Sequence, residues 1–281
     1  MKSEREAILS APNESHAAAQ HQLDAFTRPG FIRKVYGILS VQLFLTFGLI
    51  FLFVFVDPIK RQLCGVQEGD CAAGKDAIVY GLHPKCNLSE RGGCAAPTEG
   101  LISALYTSMG LSFVFLIAIV CCGNLARKVP HNYVLLFSFT LCEAVMLAVT
   151  CLFYDALAVG LAAAMTCLVT AGLTAFACWT KIDFTGMGAY LYAALLTLVV
   201  TGFVGSFFSA FYTVSWTQNL YAGCGCLVFS FYIVYDTQLI VGGTHAKHQF
   251  SVDDYVFAAL NIYLDIINLF LYILQLLSSR D

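Results

Sequence analysis

Residues 255–277 read YVFAALNIYLDIINLFLYILQLL, an unbroken apolar run in which Asp265 is the sole charged side chain. Its length matches the roughly 20 apolar residues that carry a helix across the hydrocarbon core of a bilayer. A continuous run lacks the two-residue alternation of an outer-membrane β-strand, so it reads as a helix. Asn261, Asp265, Asn268, Tyr272 and Gln275 recur at steps of 4, 3, 4 and 3 and share one face of that helix. The two asparagines and Gln275 have an ordinary use as interhelical hydrogen-bonding groups, worth about 0.6 kcal/mol each. Asp265 needs a stronger reason. A carboxylate at membrane depth costs several kcal/mol unless it is paired, protonated or wetted, which makes it a functional-site candidate in search of a partner.

The preceding apolar run, FSFYIVYDTQLIVGG at 229–243, supplies that partner in Asp236. The two runs form an antiparallel hairpin closed by Gly243–Asp253. Asp236 sits one to two turns from the closed end and Asp265 about three, a difference on the order of 5 Å. Asp236 also has a plain reading, as a carboxylate wetted at the interface. If the acids meet, they cannot both ionise cheaply. They then hold one proton between them and titrate as a pair, which makes a pH-sensitive latch. An oxygen-rich site of this kind also suits calcium, with Asn261 and Asn268 as further oxygen donors. Glu143, in FTLCEAVML, is a third intramembrane acid, placed either in the ion pathway or in a packing hydrogen bond. Arg127 and Lys128 set topology or supply a cation for the latch. Ser251-Val-Asp-Asp254 matches a capping box, so Asp253 and Asp254 read as helix-start residues.

The same logic extends along the chain. Further apolar runs at 35–56, 102–122, 132–154, 156–179, 187–211 and 220–242 bring the total to seven. The fold class is therefore all-α, a polytopic seven-transmembrane-helix bundle over 31–277. Only 12% of residues are charged, about half the share of an ordinary globular domain. The net charge of −3 points away from nucleic acid as a partner and leaves the lipid bilayer as the medium. Only Tyr154-Asp155 separates the third and fourth runs. Small residues at Gly160, Ala164, Cys167, Ala171 and Ala175, and Gly202 with Gly205, suggest that the fourth and fifth spans lie inside the bundle.

Residues 1–30 are polar, contain no cleavable signal peptide, and are expected to form a disordered cytosolic head. With that head in the cytosol, nine Lys and Arg (2, 5, 28, 33, 34, 127, 128, 181, 247) fall on the cytosolic side against six on the other. The tail, 278–281, is then lumenal. Cys64, Cys71, Cys86 and Cys94 cluster in the polar 57–100 loop and suggest disulfides in an oxidising lumen, with three connectivities open. Their spacing lacks the paired CxxC of a zinc site. Asn87-Leu-Ser89 in the same loop is a glycosylation acceptor.

FIRKVYGILSVQLFLTFG (31–48), CCGNLARKVPHNYVLLFSFTLCEA (121–144), FTG (184–186), YIVYDTQLIVGG (232–243) and 253–277 together resemble the lifeguard branch of the transmembrane Bax inhibitor motif family. The resemblance covers 31–56 and 101–277. It implies that the last helix is central, that calcium leaks passively and pH-dependently across an ER or Golgi membrane, and that cell death is suppressed. Its paired aspartates fall on Asp236 and Asp265, and the arginine that latches the first falls near Arg127. The long cysteine-bearing loop and a head without a Pro/Gly/Tyr-rich tract depart from the family pattern.

The leading expectation is a calcium leak channel or transporter gated by the acid pair, with calcium as permeant ion and no cofactor or enzymatic role. A non-conducting regulator that binds cell-death proteins or membrane receptors is the second reading. An intramembrane aspartyl protease is remote: Asp236 follows a tyrosine as such enzymes require, but Ile-Tyr-Leu rather than Gly-x-Gly precedes Asp265.

Overall fold

The computed structural model describes the side chains of 27–64, 98–121, 128–205, 207, 217–242 and 248–278. Its helices are α1 (Lys2–Phe55), α2 (Asp57–Leu63), α3 (Glu99–Cys121), α4 (His131–Cys151), α5 (Ala156–Trp179), α6 (Gly188–Phe208), α7 (Ser215–Val241) and α8 (Tyr255–Ser278). Among the described residues there is no strand. Seven of these helices are long and apolar enough to cross a membrane, beginning with Thr27–Phe55 of α1. The expected disordered head falls on 1–26, outside the described side chains; Thr27 to Gly30 already belong to the helix.

Local chemistry explains the breaks. Pro58 opens α2 after the extended Val56. Asp155 caps α5 by accepting from the Leu157 N–H at 3.1 Å, so the slender Tyr154-Asp155 divider does separate two helices. At the last span the helix begins at Tyr255, which puts Asp254 rather than Ser251 at the cap position.

α8 is the axis of the bundle. Its apolar window is 67% buried, against 11–50% for the other six spans. α7 packs on it most extensively, followed by α5 and α1, with α4 behind; α3 lies outside against α4, and α6 outside against α7. Burial explains the composition of α8: Ile262, Tyr263, Phe270 and Leu274 are fully enclosed. The outer helices turn Phe44, Leu168 and Phe203 outward, each at least 74% exposed, which only a hydrocarbon solvent tolerates over so wide a surface.

The small-residue stripes do not carry their spans into the interior, contrary to the reading from sequence. Ala164, Cys167 and Ala171 are exposed, and Gly205 has nothing near it. α5 buries a different face, through Val159, Ala162, Thr166 and Ala177. Gly202 is the exception, since an added Cβ there would clash with the Tyr221 hydroxyl, and a further close approach lies on α7. A Cβ on Gly225 would stand 2.6 Å from the Tyr272 ring, whereas one on Gly223 would meet nothing within 4 Å.

These two glycines should respond oppositely to alanine. Gly225→Ala should destabilise by about 1–3 kcal/mol through overpacking of the α7–α8 seam. Gly223→Ala should be neutral or stabilise by up to about 1 kcal/mol. Thermal stability of the detergent-solubilised protein checks the pair, and equal stability for both would show that the Tyr272 ring simply swings aside.

Candidate functional site

α7 and α8 bring Asp236 and Asp265 together. They are 4% and 6% exposed and lie near enough for each carboxyl group to act on the other. Carboxylates only accept, so a hydrogen bond between the two would need a proton on one of them. Asp265 Oδ2 is enclosed, and no donor reaches it among the described residues. Tyr232 lies beside both acids and Tyr235 beside Asp236. The polar stripe read on 255–277 does face α7, since Tyr272 continues it toward the far end with its hydroxyl 3.2 Å from that of Tyr221.

The other candidates have different surroundings. Asn268 donates back to the Leu264 carbonyl of its own helix at 2.8 Å, and Asn261 stands half-buried one turn before Asp265. Glu143 lies near Ser112 of α3, whose hydroxyl donates to the Met109 carbonyl of its own helix at 3.0 Å. Arg127, Cys71, Cys86, Cys94 and Asn87 lie outside the described residues. Cys64 is disulfide-bonded, to a cysteine that also lies outside them.

Two groups of residues escaped the sequence reading. The first is a polar layer on the side of α8 facing away from Asp265. Tyr263 precedes that acid by two residues, about 200° around the helix. Its hydroxyl meets Thr46 Oγ1 at 2.9 Å, and Gln42 Nε2 donates to Thr140 Oγ1 at 2.9 Å, leaving Gln42 Oε1 buried without a donor. Gln42 and Thr46, one turn apart in an apolar helix, were the available signal.

The second group is a collar at the closed end of the hairpin. Gln238, two residues beyond Asp236, grips the 180–185 turn: its amide donates to the Ile182 carbonyl at 2.9 Å and accepts from the Phe184 N–H at 2.8 Å. Gly242 ends α7 with φ +63°, and its N–H closes on the Gln238 carbonyl. Against it lies Arg28, which donates to Ile240 O at 2.9 Å, to Phe250 O at 2.7 Å and to Leu239 O. The last carbonyls of a helix have no partner within it and carry partial negative charge, so a guanidinium fork suits them. A Cβ on Gly242 would strike Gln249 at 2.5 Å and the Arg28 fork at 2.9 Å. Lys34, 3.3 Å over the Tyr255 ring, and Asn132, donating to the Tyr255 hydroxyl at 2.6 Å, fix the start of α8 in the same collar. The segment YDTQLIVG thus carries an acid, a loop grip and a left-handed cap within seven residues. Nothing in the polar head singled out Arg28.

A seven-span bundle built around an acid-bearing central helix is the class defined by this fold and site. Residues 28–281 match the family described as inhibitor of apoptosis-promoting Bax1. The chain is 33% identical to protein lifeguard 3 of Homo sapiens over 92% of its own length and 71% of that protein's. It is 31% identical to the Mus musculus lifeguard 3, over 92% and 72%, and 32% identical to the Golgi anti-apoptotic protein of Vaccinia virus (strain Lister), over 90% and 87%. The chain belongs to the Bax inhibitor family, in company with the lifeguards.

Breaking the collar should loosen the end of α7 while leaving the core intact. Arg28→Lys keeps the charge but loses the fork, and one charge-assisted hydrogen bond is worth about 1.5–3 kcal/mol. Amide hydrogen exchange over 239–250 should accelerate by roughly tenfold or more, with Gly242→Ala acting alike. Unchanged exchange in both variants would show that the collar holds without Arg28.

Proposed function

We propose that this chain suppresses cell death from an endomembrane, and does so by letting calcium leak under control of the Asp236–Asp265 pair. The placement of two buried carboxyl groups on the packed α7–α8 pair is the observation that carries the reading. With one shared proton the pair bears a single negative charge and ties α7 to α8. Removing that proton places two like charges in contact at low dielectric, which drives the helices apart and strengthens attraction for a divalent cation. Adding a second proton removes the charge altogether. Leak is therefore expected to rise with pH through the range in which the shared proton departs.

The anti-apoptotic half of the reading is supported by the name of the Vaccinia virus relatives, and a Golgi residence by the same name. The Cys64 disulfide supports a lumenal 57–100 loop and hence a cytosolic head and lumenal tail. Calcium and protons are the expected small partners, with no cofactor. Because those relatives are named for protection rather than transport, a second reading keeps the protective role without conduction, through binding of cell-death proteins or receptors.

Purified protein in calcium-loaded liposomes, assayed from acidic to alkaline pH, tests both. Wild-type flux should rise with pH. Asp265→Asn, which keeps the shape but cannot titrate, should flatten the profile. A pH response that survives the substitution would sink the latch. Liposomes that never leak, alongside cells that are still protected, would favour the non-conducting reading.

A further inference from the structure

We propose that a lateral cleft between α1 and α5 is a binding site for the acyl chain of a bilayer phospholipid. This inference is independent of whether the chain conducts calcium. The cleft encloses about 960 Å³. Its walls are the 36–55 face of α1 and the 159–178 face of α5, and its floor is Ile266 of α8. Both walls pack on α8 yet barely touch one another, so the central helix lacks a protein neighbour on this side. Deep in the cleft, Leu39, Ile50, Val159 and Ile266 are at most 5% exposed, while Phe51 at the rim is 57% exposed.

The dimensions select the occupant. From Tyr36 to Phe55 the α1 wall runs about 28 Å, close to the roughly 30 Å thickness of the hydrocarbon core. The cleft falls at the upper end of the roughly 300–1,000 Å³ range of small-molecule sites. Its chemistry selects further. No charged residue lines it. The Thr166 hydroxyl is spent on the Ala162 carbonyl of its own helix at 2.7 Å, and the hydroxyls of Tyr36 and Thr170, though among the lining residues, are buried from solvent. A slim, flexible hydrocarbon chain is what such a surface accepts. The exposed small residues of α5, Cys167 and Ala171 among them, keep that wall shallow enough for it to enter.

The placement gives the occupant a consequence. Ile266 adjoins Asp265, and Tyr36 reaches toward the Thr237 side chain, next to Asp236. A tail in the cleft therefore closes the dry side of the acid pair.

The test uses the full chain in vesicles of phosphatidylcholine bearing a photoactivatable diazirine on one acyl tail. Adducts mapped by peptide mass spectrometry should favour cleft residues Leu43, Phe47 and Ala163 over outward residues Leu196, Val200 and Phe203 by on the order of tenfold, a site preference of about 1.4 kcal/mol. Ala163→Phe should abolish the cleft adducts while labelling of α6 persists. Cys167→Trp at the rim serves if the first variant fails to fold. Labelling spread evenly around the belt, or undiminished in the filled variants, overturns the site. Disulfide dimers through Cys167 in the same vesicles would place a second copy in the cleft and also overturn it.

Discussion

Two carboxyl groups remain in contact among hydrocarbon side chains only while they retain at least one proton between them. The alternative is two like charges a few ångströms apart with no water to separate them. The acids lie on the seam joining α7 and α8, so on the proposed reading the packing of these two helices depends on that proton. α8 is also the helix on which α1 and α5 rest, so on the proposed reading a change at the acid pair would reach the axis of the bundle. Hydrophobic packing elsewhere in the molecule is insensitive to pH, so titration acts here or not at all among the contacts of the central helix with α7.

The collar at the closed end of the hairpin gives that latch something fixed to work against. Arg28, Gln238 and Gly242 immobilise the end of α7 one turn beyond Asp236. Tyr255, held by Lys34 and Asn132, anchors the start of α8. On the proposed reading, movement released at the acids would be directed toward the far half of the bundle, where Tyr221 meets Tyr272 and where Gly225 lets the helices approach. The head enters this design through Arg28, which binds the most distant part of the chain to the site.

The cleft between α1 and α5 and the acid pair occupy two sides of one helix. Ile266 of α8 forms the floor of that cleft, and on the proposed reading an acyl chain covers the helix there.

The amino-acid pattern by itself determined the number of spans, the helical class and the identity of the two acids. Each rests on local physics: the length of an apolar run, its lack of alternation, and the cost of a carboxylate in hydrocarbon. It also placed the polar stripe on one face of α8, because helical periodicity is written in spacing. Tertiary structure alone decided the rest. Small residues on α5 read as buried and proved to border a cleft, since smallness permits close packing without requiring it. Glu143 looked equivalent to the aspartates in sequence yet lies near Ser112 of an outer helix, and Arg28 looked like a topology signal yet holds the end of a helix more than 200 residues away. Spacing along a chain reports which face a residue occupies; which other face it meets depends on distant segments, and no local energy encodes that choice.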